Sequence, residues 1–134
     1  MIISGCRKIV GGRGEGLALV TSEPINFLAM VDAKTGRLTS ASHQLHNRSI
    51  VGAVLVFPCS VGSSVGAYVI HSLRAYGTAP SAIVCSKADI TTASGCAIAK
   101  IPVVNLPEGT PLSAVKDASL VTVVADVGTL TAKV

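Results

Sequence analysis

Residues 54–57, Val-Leu-Val-Phe, are apolar at every position, stop at Pro58, and lead through Cys59-Ser60-Val61-Gly62-Ser63-Ser64 into a segment of helical periodicity. A strand with no polar face is buried on both sides, which is the signature of a parallel sheet covered by other layers. Ile50–Phe57 is therefore read as the central strand, and residues 63–76 as the helix that follows it. Val65, Val69, Leu73 and Tyr76 fall at i, i+4, i+8 and i+11, on one expected face. Gly77 and Pro80 supply the stop. The turn places Ser63 and Ser64 at the mouth of a helix just beyond the carboxyl end of a buried strand, where open α/β sheets bind ligands. The first N–H groups of a helix lack intrahelical partners and carry the positive end of its dipole. A hydroxyl or an anion is stabilised there before any cationic side chain is added.

The remaining order of elements bears on the fold class. Ile2–Val10 alternates weakly and reads as a strand, residues 11–14 as a turn, and Glu15–Thr21 as a second strand paired with the first. Phe27–Asp32 reads as a short strand ended by Lys34-Thr35-Gly36-Arg37, and residues 38–49 as a polar connection. Strand 81–86, helix 91–99, strand 101–105 and a helical turn at 112–117 follow. Leu120–Ala125 and Thr129–Val134 form a terminal pair around Asp126-Val127-Gly128. A βαβα middle between β-rich ends predicts an α/β fold whose central sheet is largely parallel, with extra β structure from both termini. At 134 residues the expectation is a single domain, 1–134.

Composition narrows the function classes. Apolar residues make up 49% of the chain and aromatics only 3%, so the core is built from Val, Ala, Ile and Leu. The formal charge of +4 is dispersed, with Arg7-Lys8 as the one adjacent pair. A nucleic-acid groove combines a basic stripe with stacking rings, and neither is present, so no nucleic-acid partner is expected. Residues 1–10 lack the apolar core of a leader, and no apolar stretch approaches the ~20 residues of a membrane helix. The expectation is a cytoplasmic protein with no membrane partner. Cys6, Cys59, Cys85 and Cys96 form no C-x-x-C pair and have no flanking histidine at zinc spacing. They read as small buried hydrophobes, Cys59 included, although it sits in the Ser-Gly turn.

Several motifs compete for Ser63 and Ser64. Gly62-Ser63-Ser64-Val65-Gly66 matches G-x-S-x-G, which would make Ser64 a nucleophile. The one histidine that follows, His71, lies seven residues up the same helix, roughly 10 Å along its axis, and cannot take the Ser64 proton. A serine triad is excluded on that ground. The glycines at 11–16 lack the G-x-G-x-x-G order, and no Gly-rich turn is followed by a Walker lysine. His43 and His46 stand three apart in a polar loop without a neighbouring Cys or carboxylate, and read as solvent-exposed. Asp32 and Glu15 are isolated carboxylates. Plain N-capping by Ser63 or Ser64 accounts for the pattern as well as a ligand does. The residues alone thus give a ligand-facing turn and no reaction.

The same residues resemble the small subunit of the aconitase X family, a relative of the aconitase swivelling domain. The likeness runs through Gly14-Glu15-Gly16-Leu17-Ala18-Leu19-Val20, Phe27-Leu28 with Asp32 and Gly36, and Val56-Phe57-Pro58. It continues in Gly62-Ser63-Ser64-Val65-Gly66-Ala67-Tyr68-Val69, Ala79-Pro80-Ser81-Ala82-Ile83, Ala97-Ile98-Ala99-Lys100-Ile101-Pro102 and Asp126-Val127-Gly128. What the resemblance implies is a three-layer β/β/α swivelling domain that closes over a larger subunit. It also implies a hydro-lyase in which Ser63, as an alkoxide, removes a proton next to a carboxylate, with Gly62 and Ser64 contacting the substrate. The large subunit would hold a [4Fe-4S] cluster on its own cysteines. Two-chain members of the family dehydrate either a phosphorylated hydroxy acid, on the archaeal route to isoprenoids, or cis-3-hydroxy-L-proline. The tract Gly62–Val69 looks more like the former. A non-catalytic module holding an anion at the helix mouth is the reading from another class. Val61 departs from the family pattern, which implies a basic residue just before the Gly-Ser turn, so this position brings no charge to a phosphate or carboxylate.

Overall fold

A computed structural model describes residues 1–133. In chain order the strands are β1 (Ile2–Ile3), β2 (Arg7–Val10), β3 (Arg13–Val20), β4 (Val31–Asp32), β5 (Arg37–Leu38), β6 (Val54–Phe57), β7 (Ala82–Cys85), β8 (Val103–Asn105), β9 (Leu120–Val124) and β10 (Thr129–Lys133). The helices are α1 (Phe27–Met30), α2 (Gly66–Tyr76) and α3 (Ile90–Ala99), with 3-10 turns at Leu112–Ala114 and Ala125–Val127.

The apolar runs at β6 and β7 sit where sequence logic puts them. Both are buried at every position and run parallel, with β3 and β8 parallel on either side. Successive side chains alternate between faces. Leu55, Phe57, Ile83, Cys85 and Val103 point to a core shared with Ile70 and Leu73 of α2 and Cys96 and Ala99 of α3. Val54, Val56, Ala82, Val84 and Val104 point the other way, to a second core closed by Val121, Val123, Leu130 and Ala132. Each fully buried Val, Leu or Ile contributes about 1.5–3 kcal/mol relative to exposure, so both faces of the sheet are strongly committed.

The full sheet order is β1-β10-β9-β3-β6-β7-β8-β2, with the remaining neighbours antiparallel. Strand β3 serves two layers. Residues 13–17 pair with β9, while Ala18, Leu19 and Val20 pair with β6. The sheet folds over itself along β3, and β9 and β10 become a layer opposite the helices. Gly14 and Gly16 permit the crossing, because a Cβ at either would collide with the carbonyl oxygen of Ser81 or of Gly52. The result is the three-layer β/β/α architecture with a parallel centre.

Several local expectations are corrected. Residues 2–10 are two strands, broken at Gly5 with φ +74°, where the Cys6 amide reaches the Gly128 carbonyl. The β2–β3 hairpin does not form. Instead β1 pairs with β10, β2 with β8, and β3 with β9, since long-range partners bury more apolar surface than a local ribbon would. Residues 27–30 are helical, not extended, because the Asn26 side chain accepts from the Ala29 amide and caps the turn. The connection 38–49 carries buried Leu38, His43 and Leu45. Gly52, at φ +66°, turns the chain, so the central strand begins at 54. Helix α2 begins at Gly66, and its buried face is Gly66, Ile70 and Leu73. Val65 and Tyr76, expected inward, are 45% and 52% exposed. Its stop is the expected one: Gly77 is left-handed and returns its N–H to the Leu73 and Arg74 carbonyls. The terminal strand pair forms as Leu120–Val124 with Thr129–Lys133, Ala125 passing into a 3-10 turn, while Val134, expected at its end, lies outside the described residues.

Candidate active site

The turn that carries Ser63 is assembled from three directions. After β6, residues 59–61 lie beside Ile25, whose amide donates to the Cys59 carbonyl at 3.2 Å and whose carbonyl accepts from Val61 at 3.0 Å. Gly62 adopts φ +94° and packs against the Asn26 carboxamide, which a Cβ there would strike. Ser63 then folds back on itself. Its Oγ accepts from the Val65 amide at 3.2 Å, its carbonyl from the Gly66 amide at 3.0 Å, and the Ser64 carbonyl from the Ala67 amide at 3.0 Å.

This arrangement differs from a plain cap. The N-cap position of α2 belongs to Val65, whose side chain cannot accept, and no side chain caps the helix. Ser63 sits two residues earlier in a serine turn, the local hydroxyl-to-amide pairing that Ser makes outside helices. Its hydroxyl is therefore held by a backbone donor and stays exposed, as do Gly62 and Ser64. The positive end of an eleven-residue helix lies directly behind it.

Sequence reasoning missed the third support, Asp89. Its carboxylate accepts from the Ser60 amide at 2.8 Å, the Ser60 hydroxyl, the Thr91 and Thr92 amides at 3.1 and 3.3 Å, and the Thr92 hydroxyl at 2.9 Å. Burial works to raise its pKa, but the hydrogen bonds from Ser60 and Thr92 outweigh it and hold the carboxyl below the ordinary carboxylate value. The signal present in the sequence was Asp before Ile-Thr-Thr, a helix-start pattern. Nothing local marked Ser60 as its partner.

The other residues singled out take structural roles. His43 is buried, against expectation. Its Nε2 lies 3.1 Å from the Pro24 carbonyl and its Nδ1 accepts from the Leu45 amide at 3.0 Å, a pairing that assigns the neutral Nε2–H tautomer. His46 is exposed. Glu15 accepts from the Thr122 hydroxyl and Asp32 from the Lys34 amide. Cys6, Cys85 and Cys96 are buried, divided between the two cores, and Cys59 is half-buried. Burial pushes the Cys85 thiol well up and the Cys96 thiol to about 12. An iron–sulfur cluster needs thiolates converging on one point. Among the described residues no three His, Cys, Asp or Glu side chains are placed to hold a metal, so this chain's donors do not fit a cluster.

Two clefts lie against α2 and α3. One of about 490 Å³, mostly apolar, borders the turn between Ser64, Ala67, Tyr68, His71, Ser94 and Ile98. Another of about 680 Å³ lies at the opposite end of the parallel strands, by Arg13, Arg74 and Lys100. There Arg74 is occupied by the Ala99 and Lys100 carbonyls at 2.8 and 3.2 Å, terminating α3. Size and chemistry disagree. The turn is the stronger candidate site, because an exposed hydroxyl and a helix N-terminus coincide there, whereas the larger cleft faces helix C-termini.

The chain and its fold are similar to known proteins. The family model described as "Aconitase X swivel domain" matches residues 3–132. The phosphomevalonate dehydratase small subunit of Methanothermobacter thermautotrophicus is 45% identical over 92% of this chain and 94% of its own length. That of Archaeoglobus fulgidus is 43% identical over 92% of each. The crystal structure of holo-form aconitase X from Thermococcus kodakaraensis superposes with a TM-score of 0.92 at 39% identity, covering 100% of this chain and 99% of the other.

Proposed function

The chain belongs to the aconitase X swivel domain family, and on that premise we propose that it is the small subunit of a two-chain hydro-lyase converting (R)-5-phosphomevalonate to trans-anhydromevalonate 5-phosphate. The observation that carries the reading is the exposed Ser63 hydroxyl, placed at the N-terminus of α2 with the Val65 amide directed onto its oxygen. In this account Ser63, as an alkoxide, takes a proton from the carbon beside the substrate carboxylate. That electron pair becomes the new double bond, and the hydroxyl on the neighbouring carbon leaves with its own pair. A serine hydroxyl is far too weak an acid to act so unaided at neutral pH. The alkoxide depends on donors aligned before the reaction, here the Val65 N–H and the helix dipole, joined by a cation from the partner.

The partner is the large subunit. Exposed Val61, Val65 and Tyr68 lie in the Ser63 turn and the start of α2, and exposed Leu28 and Ile90 on α1 and α3, whose N-caps Asn26 and Asp89 contact the site loop; closure over them excludes water and strengthens each electrostatic contact. Gly62 and Ser64 hold the substrate beside the base, Gly62 through its close backbone. The [4Fe-4S] cluster resides on the large subunit, in keeping with this chain's dispersed cysteines. Residues 1–134 act as one swivelling domain in the cytoplasm. No helix among the described residues is long and apolar enough to cross a membrane. Assay of the reconstituted pair on 5-phosphomevalonate and on cis-3-hydroxy-L-proline tests the proposal. Turnover of the phosphorylated acid supports it. Turnover of hydroxyproline alone moves the chain to the other dehydratase, and no cluster-bearing partner at all reduces it to a binding module.

A further inference from the structure

Asp89 does more than begin a helix. An N-cap needs one side-chain oxygen on the N2 or N3 amide. Here both carboxylate oxygens are shared between α3 and the site loop. Oδ1 accepts from the Ser60 amide and the Thr92 hydroxyl, and Oδ2 from the Ser60 hydroxyl and the Thr91 and Thr92 amides. The connection between β7 and α3 grips the same loop twice more, since the Lys87 amide and the Ser86 hydroxyl both donate to the Pro58 carbonyl at 3.3 Å. Residues 58–60 are thus clamped to 86–89, and Val61 to Ile25. Beyond that clamp the chain runs through Gly62, whose positive φ has many alternatives, directly to Ser63. Ser60 on Asp89 and Val61 on Ile25 together fix the point from which the Gly62–Ser63 turn departs.

We propose that Asp89 is a positioning residue for Ser63, tying Ser60 to the first turn of α3 so that the Gly62–Ser63 turn meets the Val65 amide. The proposal rests on the reading of Ser63 as the base. Asparagine at 89 keeps one acceptor oxygen, enough to cap α3, and presents an NH₂ where donors converge. It therefore releases Ser60 while sparing much of the helix start. Thr92 provides the opposite lesion: its hydroxyl meets the same carboxylate from the α3 side without touching the loop.

Three variants separate positioning from folding: Asp89→Asn, Ser60→Ala and, as control, Thr92→Val. In the reconstituted two-subunit enzyme Asp89→Asn and Ser60→Ala each lower kcat by ~10–100-fold with KM little changed, the scale of a base displaced by a fraction of an ångström to an ångström. The double variant is no worse than the poorer single, because both remove one shared contact. Thr92→Val lowers the melting temperature but leaves kcat. Independently of activity, the Val65 amide resonance of the ¹⁵N-labelled chain shifts in Asp89→Asn and Ser60→Ala and stays put in Thr92→Val. An unmoved Val65 amide in both loop variants overturns the proposal, whatever the kinetics. A moved amide with kcat no lower than in Thr92→Val overturns it as well. Should Ser63→Ala prove harmless, the base reading fails, while the Val65 resonance still decides whether Asp89 sets the turn. Ser60→Ala deletes one hydroxyl and keeps the test open if Asp89→Asn folds poorly.

Discussion

The Val65 amide donates to Ser63 Oγ at 3.2 Å, immediately ahead of the first turn of α2. A backbone donor cannot be lost by side-chain substitution, and it points at the oxygen whichever protonation state that oxygen has. It favours the alkoxide over the hydroxyl, since a hydrogen bond to an ionised acceptor is roughly twice as strong as one to a neutral acceptor.

Gly62→Ala strains the turn in two ways. An L-residue at φ +94° is uncommon, and its Cβ strikes the Asn26 carboxamide that also caps α1. Chemical denaturation should show a loss of about 1–3 kcal/mol, with turnover of the two-subunit enzyme falling further than Ser63-independent assembly does.

Ser64→Ala should leave stability within ~0.5 kcal/mol of the parent, as at an ordinary surface position. The helix-capping role expected of Ser64 is not made, because only its backbone carbonyl is engaged, by Ala67. If its hydroxyl contacts substrate, the change appears as a higher KM. A drop of a full kcal/mol in the melt would show that the side chain caps after all.

Asp89 gives stability a defined pH dependence. Its carboxyl titrates lower in the folded chain than the ordinary value of about 3.9, so in the window between the two the unfolded state binds more protons. The stabilisation is fully present above the ordinary value and is lost as pH falls through the depressed one. The stability difference between the wild type and Asp89→Asn should be flat from pH 7 to 5 and shrink below about 4. A difference that grows on acidification would contradict the assignment.

Much of the frame was legible in local pattern. Val54–Phe57 announced a strand buried on both faces, Gly77 announced the end of α2, and the turn between them put Ser63 at a helix mouth. What escaped was long-range. The Ile2–Val10 segment alternates well enough to pair with Glu15–Thr21, yet β2 and β3 find β8 and β9, more than 90 residues away. The buried face of α2 is turned by about one residue because Gly66 and Gly95 let α2 and α3 approach closely, which no single-helix periodicity encodes. Phe27–Met30 reads as the start of an apolar strand, but Leu28, Ala29 and Met30 are strong helix formers and the Asn26 cap starts the turn that makes them helical. Within the site, Ser63 was marked by its turn, whereas the Ser60–Asp89 contact joins positions 29 apart and had no local trace.

The most direct test of the account is turnover of 5-phosphomevalonate by the two-subunit enzyme carrying Ser63→Ala. Ser63 is exposed and gives the core no packing, so subunit assembly and cluster loading should match the wild type, read by gel filtration and visible absorbance. Removal of a positioned base lowers kcat by at least ~100-fold. That loss, in a fully assembled and loaded complex, is the predicted result. Near-normal turnover in the same complex would contradict the assignment of Ser63 as the base.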